Sequence, residues 1–512
     1  MLFNSDIFLF GFMPCVLLGY FMLKRFFGPR CAQIWLTVAS FVFYAWSGPR
    51  FLPLLIFSIV FNYVLGWALA LRSAKAAPLR ALLAFGVTVN LLLLAYFKYG
   101  GFITEILAAA GYSLDMTGIE LPVGISFYTF TQIAFLVDAA RNRAHEYDAS
   151  RYGLFVTFFP HLIAGPIIHH KEMMPQFALE RIRAVTLEQF PLALTLFVIG
   201  LTKKVVLADS FATCASLTFN AAASGGHPDA IAAWTGAFCY AFQLYFDFSG
   251  YSDMALGLAL MFGIRLPVNF LSPYRSESII DFWRRWHITL SRFLRDYLYF
   301  PLGGNRRGPV RRYANLIIVM LLGGLWHGAG WNFLLWGGLH GLYLVVNHLW
   351  EFATAGRERL RLGFWSARCV TLLCVVVAWV LFRATSLHAA AEVYSGMLGL
   401  NGVRVPALLM NALHHPDGIR VLGLHIVPLV SRQPERAMAV ALCIMGLVLT
   451  WAFPNTMTIT AFAKSEAQAP HWWRLLTWRA TPLIAVLTGV MLFFSLRNIN
   501  AGAVSEFIYF QF

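Results

Sequence analysis

Two histidines in unlike settings are the chemistry-bearing residues of this chain. His327 ends an uncharged stretch, Tyr313 to Trp326, in the sequence Leu325-Trp326-His327-Gly328. A titratable imidazole inside apolar surroundings is costly unless it is paired or used. Its ordinary pKa near 6.5 suits it to moving protons at neutral pH. The plainer alternative is that it only bonds a neighbouring helix. Against that stand His287 and His340 in the same region, and the glycines 323, 324, 328 and 330 around His327. Such glycines let a second backbone or a ligand come close. His287 sits in a basic, aromatic segment: eight arginines and two aspartates between Asp281 and Arg312 leave a net +6. Chemistry is therefore the favoured reading of 281–341.

The elements that position these residues are membrane helices. The chain is 59% hydrophobic and 12% charged, about half the charge of an ordinary soluble protein. Apolar runs long enough to span recur along its length, which predicts a polytopic all-α membrane protein in one domain, 1–512. The formal charge of +15 fits positive-inside loops, and nucleic-acid binding is disfavoured. Seven scattered cysteines without a CxxC pair argue against a zinc site or disulfide framework, and no metal is expected. Residues 7–23 read as an uncleaved first span.

Further runs follow at 32–46, 51–71 and 79–97, the shortest being the candidate for a re-entrant or interfacial segment. Polar residues thread Leu121 to Ala140, so that helix should face a bundle interior. Pro160 and Pro166 predict a broken helix over 152–168, with His161 in a structural role. A span over 190–208 ends near Lys203 and Lys204. In 230–263, Gln243, Asp247, Ser249 and Asp253 are candidates for a polar tunnel lining. The two aspartates need partners, and the arginines of 275–295 are the expected ones. Spans are expected near 331–350, 367–386, 436–454 and 480–496, and 399–435 reads as a loop with one short helix.

FWRRWHITLSRFLRDYLYFPLGGNR (282–306) and LLGGLWHGAGWNFLLWGGLHG (321–341) resemble the membrane-bound O-acyltransferase (MBOAT) family, in particular its bacterial alginate O-acetylase-like subgroup. LPVGISFYTF (121–130), FPHLIAGP (159–166), QLYFDFSGYSDMA (243–255) and FIYFQF (507–512) extend the likeness nearly end to end. The resemblance implies about 11–13 transmembrane or re-entrant helices around a central tunnel. It also implies acetyl-CoA as a cytoplasmic donor substrate, no bound cofactor, and His327 as the catalytic histidine with His287 beside it. Relatives of this kind work in the bacterial inner membrane with an extracytoplasmic esterase-like acetyltransferase subunit and polysaccharide assembly proteins.

The residues fit that chemistry. A hydroxyl attacking a thioester needs a positioned base, which a neutral His327 can be. His287 can orient the acceptor or bond the developing oxyanion. Arg306, Arg307, Arg311 and Arg312 are candidates for the donor's phosphates, and topology alone would also explain them. The aromatic tail, 507–512, resembles the C-terminus of the small peptide that accompanies D-alanyl-transferring relatives, which makes Tyr509 a candidate acyl carrier. The rival class is a polysaccharide transporter or export component without acyl transfer. No residue selects the polymer among alginate, cellulose and peptidoglycan.

Overall fold

Apolar helices of roughly 20 residues account for most of the architecture, because inside a membrane each backbone polar group must be bonded within its own segment. The computed structural model describes residues 1–71, 77–113, 115–116, 118–141, 148–356, 362–406, 419–421, 424–429, 434–462, 471–502 and 505–508. Among these, six helical stretches are long and apolar enough to cross a membrane: Ile7–Phe27, Pro49–Ala70, Leu79–Ala109, Leu187–Ala223, Phe364–Arg383 and Pro482–Ala501. The chain is an all-α multi-pass membrane protein with one small sheet at its side.

The first half carries α1 (Met13–Phe27), α2 (Pro29–Ser47), α3 (Leu52–Ala70), α4 (Ala77–Ala109) and α5 (Ile125–Ala140). The run assigned to a re-entrant or interfacial segment is the unbroken helix α2, which is not among the six. Next come α6 (Ala149–Thr157) and α7 (Phe159–Leu162), broken at Phe158 as the prolines predict. His161 Nε2 lies 3.0 Å from the Phe155 carbonyl across that break, a structural contact. Short helices α8 (His170–Met173) and α9 (Leu179–Ala184) lead into α10 (Phe190–Thr202), a π-helical turn at Lys203–Ala208, and α11 (Asp209–Ala223). The expected end of the span at Lys203 and Lys204 is thus a mid-helix position.

The central element is α12 (Ala230–Met261). From Cys239 to Met261 every residue except Gln243 is buried. It lies on α10 through glycines: a Cβ on Gly250 would sit 2.7 Å from the Gly200 carbonyl oxygen, and one on Gly257 2.6 Å from that of Ala193. Around it run α13 (Ile279–Arg285), α14 (Ile288–Leu294), α15 (Gly308–His327), α16 (Trp331–Ala353), α17 (Phe364–Arg383) and α18 (Leu387–Met397).

The segment 399–435 differs from expectation. Its described residues form a three-stranded sheet, β1 (Val403–Pro406), β2 (Ile419–Val421) and β3 (Leu424–Leu429), in the order β1-β3-β2. β1 runs parallel and β2 antiparallel to β3. Pro428 lies within β3, where its register partner in β1 is Val405.

Candidate active site

His327 is the last residue of α15, and the pairing of α15 with α16 fixes its place. The two helices touch at Gly324 and Gly337, where a Cβ would come within 2.2 Å of the Phe333 and Met320 carbonyl oxygens. Gly324 therefore serves backbone approach between helices, while Gly328 lies against the Phe333 ring. The imidazole is 3% exposed. Its ring centre lies 4.9 Å from Trp326, 5.1 Å from Trp336 and 5.2 Å from Phe382, a wall of aromatic faces. His340 is on the far side of Trp336, at 4.9 Å from that indole. It belongs to the packing of α16 against Trp283 and not to the pair around Trp326.

His287 is fully buried and opens α14 with φ +43°, a left-handed backbone that few non-glycine residues adopt. Asn269 holds it there. Asn269 Oδ1 accepts from His287 Nδ1 (3.1 Å), from the Thr289 N–H (3.2 Å) and from Thr289 Oγ1 (2.9 Å). A backbone N–H can only donate, so the asparagine oxygen faces this cluster and His287 Nδ1 carries a proton. In the neutral ring Nε2 is then an acceptor, suited to orienting a hydroxyl and not to donating to an oxyanion. The His287 ring lies 6.1 Å from Trp326, so both histidines flank one indole.

Three cavities meet this framework. One of about 40 Å³ is lined by His327, Trp326, Lys98, Ser126 and the start of α5; it has room for water but not for a sugar. A second, of about 870 Å³, is lined by Ala329, Gly330, Asn332, Phe382, Arg383, Gln243 and the tail residues Ser505, Glu506 and Ile508. A third, of about 420 Å³, lies at the other end of α15 and is lined by Arg141, Lys171, Arg292, Arg306, Asp138 and Asp296 among others. The 20 residues of α15 set about 30 Å between Arg306 and His327. Of the four arginines proposed for the donor, Arg306 alone lines this basic cavity. Arg307 and Arg311 are exposed outside it, and Arg312 lies 2.9 Å from the His348 ring.

The polar residues of α12 have partners other than the arginines expected for them. Lys204 Nζ lies 2.7 Å from Asp247 Oδ1, and Lys203 Nζ 2.6 Å from Asp253 Oδ2. Ser249 accepts from Lys203 at 3.4 Å, and Thr456 donates to Asp253 at 2.7 Å. Arg275 instead bonds the Thr450 carbonyl, and Arg285 pairs with Asp281. Both lysines stand on the π-helical turn, one turn beyond Gly200, where the backbone lies against Gly250 of α12. Gln243 alone of the four lining candidates borders the large cavity.

The tail enters the same region. Ser505 Oγ donates to Asp209 at 2.8 Å, and Lys204 Nζ donates to the Glu506 carbonyl at 3.0 Å. The Ile508 N–H donates to Asp247 Oδ2 at 3.1 Å. Phe507 is buried edge-on against Tyr251, 4.4 Å between centres. Tyr509 lies outside the described residues.

Sequence reasoning missed three features of the site. Lys98 and Tyr99 lie against the end of α15, just beyond the apolar run that was read as ending at Phe97. Asn269, the holder of His287, carries no local signal. At the basic cavity, His169 Nδ1 donates to the Tyr297 oxygen (3.1 Å), and Tyr297 donates to Asp138 (2.8 Å). Burial and the Arg292 guanidinium lower the His169 pKa from its ordinary value.

Comparison with known proteins identifies the framework. The profile of the MBOAT, membrane-bound O-acyltransferase family matches residues 41–387. The chain is 38% identical to a peptidoglycan O-acetyltransferase of Helicobacter pylori, over all of this chain and 98% of the relative. It is 37% identical to the probable alginate O-acetylase AlgI of Pseudomonas putida over the full length of both. A teichoic acid D-alanyltransferase of Streptococcus thermophilus is 30% identical over 47% of this chain and 60% of its own. With a buried histidine at the end of α15 and a family match that contains it, this chain belongs to the membrane-bound O-acyltransferases and is an acyltransferase enzyme.

Proposed function

We propose that this chain passes acetyl groups from cytoplasmic acetyl-CoA across the bacterial inner membrane for O-acetylation of an extracytoplasmic polysaccharide, alginate or a similar exopolysaccharide. The observation that carries the reading is the arrangement along α15: a basic cavity at one end, His327 and a larger cavity at the other. The names of the full-length relatives supply the acyl group and the class of acceptor.

In this reading the donor's phosphates rest among Arg141, Lys171, Arg292 and Arg306, and its thioester reaches His327. The acceptor hydroxyl donates to His287 Nε2 as it enters, and then turns its one proton to His327. His327 takes the proton as the hydroxyl oxygen bonds to the acetyl carbon. The C–S bond breaks, and the imidazolium returns the proton to the departing thiolate. General-base help of this kind is worth about 10²–10⁴-fold. The tail gives the acceptor a first identity. Tyr509 follows a segment that enters beside Asp247, and its phenol, with an ordinary pKa near 10, is a better nucleophile than a sugar hydroxyl. Acetyl-Tyr509 would then hand the group to an extracytoplasmic esterase-like partner, which acetylates the polymer.

The test is His327→Ala, expressed with its neighbouring gene products. Polymer acetylation should vanish at normal protein level in the membrane. Retained acetylation would show that His327 is not the base.

A further inference from the structure

The last carbonyls of a helix have no partner within it and carry its negative end. On α15 these belong to Leu325, Trp326 and His327, and two adjacent residues of α4 take them. Tyr99 OH donates to the Leu325 carbonyl at 2.8 Å. Lys98 Nζ donates to the Trp326 carbonyl and lies 3.5 Å from that of His327. The ammonium also reaches Ser126 Oγ at 3.3 Å and stands 5.7 Å from the Trp326 ring centre.

A half-buried lysine on a membrane-spanning helix needs a countercharge. Among the described residues, the oxygens that Lys98 reaches are neutral: two main-chain carbonyls and one hydroxyl. The negative end of α15 is therefore what holds the cation. Lys98 also lines the small cavity that His327 borders. We propose that Lys98, assisted by Tyr99, is the positioning residue of His327: a helix cap supplied in trans by α4, which locks the final turn of α15 and so the place of the imidazole. The inference rests on the reading of His327 as the base.

The cap acts through His327 and touches neither donor nor acceptor, so its loss should lower kcat and leave KM alone. The experiment measures acetyl transfer from acetyl-CoA by membranes holding the full chain and its co-expressed partners. Lys98→Met should lower kcat at least tenfold with KM for acetyl-CoA within twofold of wild type. Lys98→Arg, which keeps a cation at the carbonyls, should recover at least a third of the wild-type kcat. Tyr99→Phe should lower kcat two- to fivefold. A wild-type kcat in Lys98→Met overturns the proposal, as does a raised KM with kcat intact, which would make Lys98 a donor contact. Equal losses in Lys98→Met and Lys98→Arg overturn it too. Should Lys98→Met fail to accumulate, Lys98→Arg and Tyr99→Phe decide: wild-type kcat in Tyr99→Phe, or less than a tenth of it in Lys98→Arg, rejects the cap. His327→Ala run alongside separates the two ideas. If that variant is active the base assignment falls, whereas if it is dead while Lys98→Met is wild type only the cap falls.

Discussion

Asp247 accepts the main-chain N–H of Ile508 at 3.1 Å, joining the middle of α12 to a residue 261 positions later. The same carboxylate holds Lys204 at 2.7 Å, and Lys204 in turn bonds the Glu506 carbonyl. The buried Lys204–Asp247 pair thus helps anchor the tail, beside Asp209, which lies 3.2 Å from Lys204 and accepts from Ser505. Removing one member of such a pair strands the other charge, at a cost of about 3–5 kcal/mol. Lys204→Met should therefore lower the thermal midpoint of the detergent-purified protein sharply. Lys204→Met with Asp247→Asn should recover much of the loss, since the amide oxygen can still accept from Ile508. A double variant no more stable than the single one would show that the pair is not the anchor.

His287 combines a left-handed backbone with a bond to Asn269. Asparagine tolerates that backbone better than other non-glycine residues. The expected order of acetyl transfer is wild type, then His287→Asn, then His287→Gln, with His287→Ala lowest. Wild-type rates in all three would leave His287 a structural residue.

Tyr509→Phe removes one hydroxyl from the tail and keeps its ring. Acetylation of the polymer should fall to near background while the membrane level of the protein holds. Mass spectrometry of the wild-type tail, trapped during turnover, should find the acetyl ester on Tyr509. Wild-type acetylation by the variant would make the tail an anchor alone.

The four arginines proposed for the donor divide into Arg306, which lines the cavity, and Arg307, Arg311 and Arg312, which do not. Arg306→Ala should raise KM for acetyl-CoA severalfold, and Arg311→Ala should leave it within twofold. Identical effects would reduce both to topology.

Positive residues favour the cytoplasmic side, so the end of α15 nearest Arg306 should face inward. Val310 is 82% exposed and suits a cysteine; Gly308, with φ +82°, does not. Val310→Cys, in a chain cleared of native cysteines, should resist an impermeant thiol reagent on intact cells and react once they are opened. Labelling of intact cells would invert the orientation.

Much of this was legible because lipid demands long apolar segments: the runs at 51–71 and 367–386 correspond to α3 and α17. The buried polarity of α12 was equally plain in Asp247 and Asp253. Their partners were not. Lysines at the end of an apolar run are ordinary loop residues in most membrane proteins, whereas here the helix runs on through Lys203 and Lys204 into α11. Lys98 was lost the same way, since a charge closes an apolar window even where the helix runs on to Ala109. In 399–435 the prolines hid the sheet: Pro406 and Pro428 both stand inside the β1–β3 pairing, where a proline ordinarily speaks against a strand.

The aromatic wall at His327 bears on the energetics of the whole cell. The large cavity beside Phe382 and the basic cavity beside Arg306 share no lining residue. Beside His327 the indoles of Trp336 and Trp379 stack on each other, with Phe382 against both. Packed aromatic rings offer protons and sodium no wire to hop along, so an intact wall should let the resting enzyme sit in an energised membrane without discharging it. Trimming that wall, for instance with Trp336→Gly, should appear first as a proton leak.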